Sequence, residues 1–402
     1  MTSRKDRYVL SPSVNLRYVI NASRSQGDDR GSCTAKALGF GYEGLFAHNE
    51  QQENLRHNGQ SKVSKDAGKK RLDEINESPV GILDCPDLRD DFYLNILDWS
   101  INNIVSIALD RSVYCYYYDS RESECLANSN SFHYITALKS MKAGRLMAIA
   151  NSIGCISIVD MSTKKELVRG VLPNESRVAA LACKDNSGMF SDHLLVTGSK
   201  TGDIYGYDLR RKLKSHSFCL SGHELEISGL QMAPDSWQLC SGGNDNRVFI
   251  WDIRKEKPLF MQDEYQSAVK ALSWCPWRRH LLAVGTGTND RRACIWNSST
   301  NTLMYAVQTD SQICGIMWAP LISEIITAHG YAGNDLCLWP YPSLEKIYSV
   351  QAHDSRILHS ALAPDGTTIA TCAANESLKF WELYRKRPSL RTPSANKLEF
   401  GL

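Results

Sequence analysis

Residues 222 to 252, GHELEISGLQMAPDSWQLCSGGNDNRVFIWD, decide the fold of this chain of 402 residues. The segment starts with Gly-His and ends with Trp-Asp, and its apolar runs are separated by the turn residues Pro-Asp-Ser and Gly-Gly-Asn-Asp. Short apolar runs bounded by turn signals predict β-strands that follow one another as a meander. The segment therefore predicts one small sheet of four antiparallel strands.

The end of this segment has counterparts along the rest of the chain. Strand-like runs rich in Val, Ile, Tyr and Trp end at Tyr118-Asp119, Val159-Asp160, Tyr207-Asp208, Trp251-Asp252, Trp296-Asn297, Trp339-Pro340 and Trp381-Glu382. The seven endings lie 41 to 48 residues apart, a period typical of repeats that each form one propeller blade. Only residues 222–252 carry both dipeptides of the WD repeat. Seven copies in register nevertheless predict an all-β fold, a seven-bladed β-propeller.

The Trp, His and Asp residues of the repeats are interpreted as structural. Each Trp is expected to fill the space between blades, and each His or Asp to satisfy buried polar groups at a turn. The fragment Gly285-Thr286-Gly287-Thr288 lies between two strands without a following helix, so it predicts a hairpin turn. The sequence has no G-x-S-x-G elbow, P-loop or H-E-x-x-H pair. We therefore expect no catalytic residue and no enzymatic activity.

Composition divides the chain into three parts. Hydrophobic residues make up 43% and charged residues 22%, which suits a large folded core over residues 79–384. Residues 1–78 hold 13 Lys or Arg against 10 Asp or Glu, with few aromatic residues. Such a segment buries too little apolar surface to offset chain entropy, so we expect a largely disordered N-terminal tail. Residues 385–402 are expected to form a flexible C-terminal tail.

Charge and cysteine content exclude several classes of partner. The net charge is only +2, so no large basic field predicts binding to nucleic acid. No apolar segment approaches the roughly 20 residues that span a bilayer, and we expect no membrane association. The 13 cysteines form no C-x-x-C pair, which favours a reducing cytoplasm or nucleus and argues against a metal site. We expect no cofactor, and a monomer in isolation.

Several segments beyond the general repeat pattern carry a family resemblance. They are GILDCPDLRDDFYLNILDWS at 81–100, SGGNDNRVFIWD at 241–252, VKALSWCPWRRHLLAVGTGTNDRRACIW at 269–296, ICGIMWAP at 313–320 and AHGYAGNDLCLWPYP at 328–342. Over about residues 80–384 the chain resembles the Fizzy family. The resemblance implies a substrate-recruiting activator of the anaphase-promoting complex, a ubiquitin ligase. Its implied partners are subunits of that complex and substrates with degrons, such as cyclins.

The resemblance implies a binding site for the destruction box, a degron with an Arg followed three residues later by a Leu. Leu83, Asp84 and Glu376 match the receptor positions of the family. Carboxylates beside an apolar pocket suit a guanidinium and a Leu side chain. Asp84 and Glu376 lie 292 residues apart, but a closed propeller brings its N-terminal strand to its last blade. The alternative is that Asp84 caps a turn and Glu376 is a solvated surface charge.

A second implied site is for the Lys-Glu-Asn degron, which needs an acid, a base and amide partners on one face. The matching residues lie near turns of different blades and are expected to converge at the mouth of the central channel. They are Asp91, Asn244, Asn246, Thr288, Gln312 and Arg356. For the two Asn residues, ordinary β-turn chemistry is an alternative, and both interpretations can hold together.

The elements that would dock the ligase are incomplete. The family has a box of the form Asp-Arg-Phe/Tyr-Ile-Pro-x-Arg, of which Asp6, Arg7, Tyr8 and Val9 match the first half. The C-terminal Ile-Arg pair of the family is replaced by Gly401-Leu402. These departures suggest a divergent, specialised member, and its resemblance to a meiosis-type activator of the family implies a role in meiosis. They leave open a decoy or inhibitor that binds degrons without productive docking, or a general WD-repeat scaffold. Ser-Pro and Thr-Pro dipeptides at Ser11, Ser78 and Thr392 are minimal phosphorylation sites.

Overall fold

The structure, a computed structural model, describes residues 75, 77–128, 133–184, 193–211, 213–234 and 236–384. It confirms the predicted seven-bladed propeller: seven antiparallel sheets of four strands each. Within the described ranges, the single helical element is a 3-10 turn, Leu209–Arg211, and no helix has the length and apolarity needed to cross a membrane. Most of the predicted N-terminal tail and the whole C-terminal tail lie outside the described residues.

The strands are short, mostly six residues, as expected for blades built from tight turns. In chain order they are β1 (Gly81–Asp84), β2 (Leu97–Trp99), β3 (Ile104–Leu109), β4 (Ser112–Tyr117), β5 (Glu122–Asn128), β6 (Ile135–Met141), β7 (Leu146–Asn151), β8 (Cys155–Asp160), β9 (Glu166–Val171), β10 (Val178–Cys183), β11 (Leu194–Ser199), β12 (Asp203–Asp208), β13 (Phe218–Ser221), β14 (Ile227–Met232), β15 (Gln238–Gly243), β16 (Val248–Asp252), β17 (Lys257–Gln262), β18 (Val269–Trp274), β19 (Leu281–Thr286), β20 (Arg292–Asn297), β21 (Thr302–Gln308), β22 (Ile313–Trp318), β23 (Glu324–His329), β24 (Asp335–Pro340), β25 (Tyr348–Gln351), β26 (Ile357–Leu362), β27 (Thr368–Ala373) and β28 (Ser377–Glu382).

Blades 1 to 6 are consecutive groups of four strands, from β2–β5 to β22–β25. Blade 7 has the order β26, β27, β28, β1, so its outermost strand comes from the start of the described chain. The innermost strands β2, β6, β10, β14, β18, β22 and β26 contact one another around the ring and line the central channel. The seven endings noted in the sequence are the ends of the third strand of each blade. The hairpin prediction at 285–288 is confirmed, although Gly285 and Thr286 still belong to β19.

Pairing of β1 with β28 closes the ring. Leu83 pairs with Leu378 and Asp84 with Ser377. The junction with blade 1 is aromatic: the ring of Phe380 lies 5.5 Å from that of Tyr116 and 5.6 Å from that of Trp99. A run of three Tyr residues ends the third strand of blade 1, where blades 4 to 7 have Trp, and these residues fill the same kind of space. Apolar burial between the first and last strands therefore stabilises the closed ring.

The complete repeat of blade 4 has the structural role predicted for it. The Trp251 indole donates to Ser241 Oγ (2.9 Å), which lies 2.8 Å from His223 Nε2. The other ring nitrogen of His223 lies 3.0 Å from both carboxylate oxygens of Asp245. A buried chain of hydrogen bonds thus joins the third strand to the turn above it, as buried polar groups require. Blade 7 has a similar chain through Trp381, Thr371 and His353.

The cysteines described by the structure are all free. Nine of the twelve are buried, namely Cys85, Cys115, Cys183, Cys240, Cys275, Cys294, Cys314, Cys337 and Cys372. Burial raises the pKa of the Cys275 thiol to about 12. The buried cysteines act as small apolar core residues.

Candidate functional site

A segment crosses one end of the propeller between blade 7 and blade 1. This crossing segment, residues 85–96, leads from the outermost strand β1 to the innermost strand β2. The end of the ring that it covers is here called the upper end. The amide of Asn95 donates to the carbonyls of Ala179 (2.7 Å) and Ser228 (2.8 Å) on the inner strands of blades 3 and 4. The segment is therefore fastened across the channel, well beyond the blades that it connects.

A buried lysine holds the middle of the crossing segment. The ammonium of Lys270, on β18, donates to the carbonyls of Phe92 (2.7 Å) and Leu358 (3.0 Å) and to Nδ1 of His359 (3.0 Å). Its three protons are thus all used. Burial lowers the pKa of Lys270 to about 8, because a charged group is disfavoured away from water. The sequence did not single out Lys270. The one feature that could have indicated a buried lysine is its place within the mostly apolar strand VKALSW.

The structure brings Asp84 and Glu376 together. Asp84 is paired with Ser377, the residue after Glu376. The amide of Cys85 donates to the carbonyl of Glu376 (2.7 Å), and the amide of Asp87 donates to its Oε1 (3.2 Å). Burial is the main cause that raises the pKa of the Cys85 thiol, and the carboxylates of Asp84 and Glu376 add to it. Two carboxylates from opposite ends of the described chain therefore lie at one junction.

Glu376 is exposed and has a left-handed backbone with φ of 57°. Leu83 has the opposite character, with 1% of its surface exposed in the core between blades 7 and 1. Successive side chains of a strand point to opposite faces, so Leu83 points inward while Asp84 is half-buried at the edge. A direct contact of a peptide with the Leu83 side chain would require the core to open. Its role in ligand binding stays a prediction.

Four residues of the second predicted site line a single cavity at the upper end. Asn244 and Asn246 lie in the turn between β15 and β16, Thr288 follows β19, and Gln312 precedes β22. Together with Phe92 and Tyr93 of the crossing segment they surround about 270 Å³. Asn246 has φ of 62°, so the turn chemistry considered from the sequence is present as well. The cavity is polar and draws on blades 4, 5 and 6.

Asp91 and Arg356 flank this cavity without lining it. Arg356 is ion-paired with Asp90, with Nε at 2.8 Å and Nη2 at 2.5 Å from Oδ1, and its guanidinium lies 5.2 Å from the Tyr331 ring centre. A ligand carboxylate would have to share Arg356 with Asp90. Asp91 Oδ1 accepts from the Tyr93 amide (2.9 Å), so it belongs to the same turn as the cavity wall.

Further polar residues behind Asp91 escaped the sequence reasoning. Arg177 donates to Asp91 Oδ2 (2.9 Å) and, through two nitrogens, to Glu226 at 2.7 and 2.5 Å. Tyr93 donates its hydroxyl to Asn244 Oδ1 (3.0 Å), and burial raises the pKa of Tyr93. A single sequence gives no signal for these contacts, because Asp91, Arg177 and Glu226 come from separate segments.

Three residues at the β23–β24 turn of blade 6 are close enough together to hold a metal ion. His329, Asp335 and Cys337 place ligand atoms within 4.8 Å of one another in blade 6. Both ring nitrogens of His329 are engaged, with Nε2 2.8 Å from Thr327 Oγ1 and Nδ1 3.4 Å from the Ser311 carbonyl. Trp339 donates to the same Thr327 hydroxyl (2.7 Å), so His329 takes part in a structural chain like that of blade 4.

The predicted docking residues Asp6, Arg7, Tyr8 and Val9 lie outside the described residues, as do Ser11 and Thr392. Ser78 is described and exposed beside β1. Docking of the ligase through Asp6, Arg7, Tyr8 and Val9 stays a prediction.

Comparison with known proteins gives a consistent picture. Residues 83–381 match the family described as the CDC20/Fizzy WD40 domain. The chain is 35% identical over 413 residues to the WD repeat-containing protein slp1 of Schizosaccharomyces pombe, covering 98% of this chain and 82% of that protein. It is 38% identical over 333 residues to the anaphase-promoting complex subunit cdc20 of Dictyostelium discoideum, covering 82% and 64%.

A meiotic relative and a solved structure extend the comparison. The chain is 39% identical over 315 residues to the meiotic fizzy-related protein 1 of Schizosaccharomyces pombe, covering 78% of this chain and 72% of that one. A chain in a crystal structure of the mitotic checkpoint complex superposes with a TM-score of 0.73 at 36% identity. The match covers 81% of this chain and 96% of the solved chain.

Proposed function

Because the chain belongs to the CDC20/Fizzy family of WD-repeat proteins, we propose that it is a substrate-recruiting activator of the anaphase-promoting complex. It binds degrons on substrates such as cyclins and presents them for ubiquitination, which drives cell-cycle or meiotic progression. The protein is an adaptor and performs no covalent chemistry itself. Its partners are subunits of the complex and the degron-bearing substrates.

The observation that carries this proposal is the meeting of Asp84 and Glu376 where β1 closes the ring. A guanidinium binds carboxylates through charge-assisted hydrogen bonds, and an Arg placed here would find two of them. The pairing of β1 with β28, which closes the ring, brings these residues together. We assign the destruction-box site to Asp84 and Glu376, with Leu83 contributing from below by packing β1 onto β28.

The second degron site is assigned to the cavity at the upper end. Asn244, Asn246, Thr288 and Gln312 supply amide and hydroxyl groups for the Asn of a Lys-Glu-Asn peptide. Asp91 would bind the Lys and Arg356 the Glu. Together these residues supply an acid for the Lys, a base for the Glu and neutral polar groups for the Asn of the peptide.

Docking on the ligase is assigned to Asp6, Arg7, Tyr8 and Val9. Their sequence retains the first half of the docking box of the family. We propose that the protein acts in the cytoplasm and nucleus, where its ligase would meet these substrates. Imaging of a fluorescently tagged full chain, with a fractionation control, would contradict this placement if the protein were confined to another compartment.

Ubiquitin transfer tests the proposed activity directly. Purified anaphase-promoting complex is incubated with a destruction-box substrate, with and without this chain, and ubiquitinated product is quantified. We expect stimulation that is lost when Glu376→Gln and Asp84→Asn are combined. No stimulation, while a known activator works in parallel, would refute the activator role. Retained peptide binding in that case would leave a degron-binding decoy, and no peptide binding at all would leave a scaffold.

A further inference from the structure

We propose that Arg177 and Glu226 are a positioning pair that holds Asp91 ready for the ammonium group of a ligand. This inference rests on the proposed Lys-Glu-Asn site. It concerns two residues that the family resemblance did not supply and that touch no ligand themselves. They act through Asp91, whose carboxylate would make the contact.

The contacts of Arg177 fix the direction of its guanidinium. Arg177 directly precedes β10, and Glu226 directly precedes β14 in the next blade. Nε donates to Glu226 Oε1 at 2.7 Å and Nη2 to Oε2 at 2.5 Å. Two parallel bonds between planar groups set both position and orientation. Glu226 is 7% exposed, so this pair forms a rigid base under the upper end.

The remaining nitrogen of Arg177 reaches the crossing segment. Nη1 donates to Asp91 Oδ2 at 2.9 Å and to the Tyr134 hydroxyl oxygen at 3.4 Å. The other Asp91 oxygen, Oδ1, accepts from the Tyr93 amide at 2.9 Å. Each carboxylate oxygen therefore has one protein donor, and each keeps a second acceptor site. Asp91 is held in one orientation and can still accept from an ammonium group.

The same frame orients the neighbouring amide of the cavity. The Asn244 backbone N–H donates to the Glu226 carbonyl at 2.8 Å, and its Oδ1 accepts from the Tyr93 hydroxyl at 3.0 Å. With Oδ1 engaged by Tyr93, Asn244 has its NH2 group available as a donor to a ligand. Glu226 thus links the acidic position and the amide position through one short set of bonds.

Charge gives the pair a second effect. Asp91, Glu226 and Arg177 carry two negative charges and one positive charge, so the cluster has a net charge of −1. Arg177 neutralises the buried Glu226 and leaves one negative charge at the half-exposed Asp91, which suits a single cation. Without Arg177, two carboxylates would repel each other and Glu226 would be a buried charge without its partner.

Binding of paired peptides separates this role from general stability. One peptide contains Lys-Glu-Asn, and its partner has norleucine in place of Lys, which removes the ammonium and keeps the chain length. Affinities are measured for the wild type and Arg177→Met in the full chain, with melting temperature recorded for each. We expect Arg177→Met to weaken the Lys peptide about tenfold or more. The norleucine peptide should change less than twofold, and a destruction-box peptide should be unaffected.

Arg247→Met is the matched control. Arg247 lies in the β15–β16 turn and pairs with Glu224 at 2.6 Å, so its loss removes one positive charge from the same end without touching Asp91. It should leave the ratio of the two peptide affinities unchanged. If Arg177→Met does not fold, Arg177→Lys retains the charge without the two parallel bonds and is expected to show the same selective loss, smaller in size.

The outcomes are distinct. An equal loss of affinity for both peptides in Arg177→Met would mean that Arg177 only supports the fold. No loss of affinity for either peptide would mean that Asp91 needs no positioning. Either result overturns this inference and leaves the proposed Lys-Glu-Asn site in place. Failure of the wild type to bind the Lys peptide would overturn the Lys-Glu-Asn site, and this inference with it, while the destruction-box site would be judged separately by its own peptide.

Discussion

Replacing Glu376 by Gln tests the ring-closure site with the smallest change of shape. Gln keeps the length of the side chain and an oxygen that can accept the Asp87 amide, which lies 3.2 Å from Oε1. It removes the negative charge. The left-handed backbone at φ of 57° is unaffected, because both residues have the same branching. A loss of peptide affinity can therefore be attributed to the charge.

The magnitude follows from the presence of two carboxylates. A hydrogen bond to a charged group contributes roughly 1.5–3 kcal/mol, and a tenfold change in affinity corresponds to about 1.4 kcal/mol. Glu376 is exposed and Asp84 remains beside it, so we expect the lower value, a loss of about tenfold. The double variant with Asp84→Asn should lose about a hundredfold or more. Salt should weaken the wild type more than either variant, because exposed charges are screened.

The assay is titration of a fluorescent destruction-box peptide, repeated with citrulline in place of its Arg. Citrulline has the shape of Arg without its charge, so Glu376→Gln should hardly change the affinity of that peptide. Melting temperature serves as the control and should move little, since surface substitutions usually change the free energy of unfolding by under about 0.5 kcal/mol. Unchanged affinity of the Arg peptide in the double variant would refute the assignment of this junction.

The remaining predictions concern the ring, the channel and the docking box. Leu83→Ala should lower the free energy of unfolding by about 2–5 kcal/mol, because the Leu83 side chain is buried where the ring closes. Ile82→Ala is the control, since the Ile82 side chain is only half-buried. An equal effect of both substitutions would contradict the role of Leu83 in closing the ring. Lys270→Met should change the pH dependence of the free energy of unfolding. The pKa of Lys270 is about 8 in the folded state and the ordinary value is 10.5, so between these two pH values the unfolded state binds more protons. This lysine therefore makes the free energy of unfolding rise with pH across that window. The difference between wild type and Lys270→Met, measured by urea unfolding in reductant, should therefore shift in favour of the wild type by about 3 kcal/mol from pH 8 to 10.5; a constant difference would show that the lysine titrates normally. Asp6→Ala with Arg7→Ala should abolish co-purification of the ligase and leave peptide affinity intact, whereas retained ligase would show that another segment docks it.

The seven blades follow from local sequence, and this is why they are predictable. Each blade is a meander whose strands and turns are neighbours in the chain, so apolar alternation and turn residues identify it. The repeat also gives the role of Trp251, because the same position recurs at a fixed period. Blade 1 shows the limit of the pattern: its Tyr residues replace Trp, yet packing against Phe380 keeps the geometry.

The sites depend on distances that a single sequence does not contain. The family resemblance picked out Asp84, Glu376 and the upper-end residues, and the structure places four of the latter in one cavity. It could not indicate that Leu83 is buried, since the face of a short strand depends on its register with β28. Nor could the resemblance indicate that Arg356 is already paired with Asp90, because the sequence alone does not show which distant charged residues form ion pairs.

The sequence by itself determined the number of blades, the order of strands within them and the closing role expected of the first strand. Only the tertiary structure decided how the crossing segment is held: by Lys270 beneath Phe92, by Asn95 across the channel and by Arg177 behind Asp91. The physical reason is range. Strand and turn preferences act over a few residues, whereas these bonds join groups up to 178 residues apart and form only when distant blades pack together.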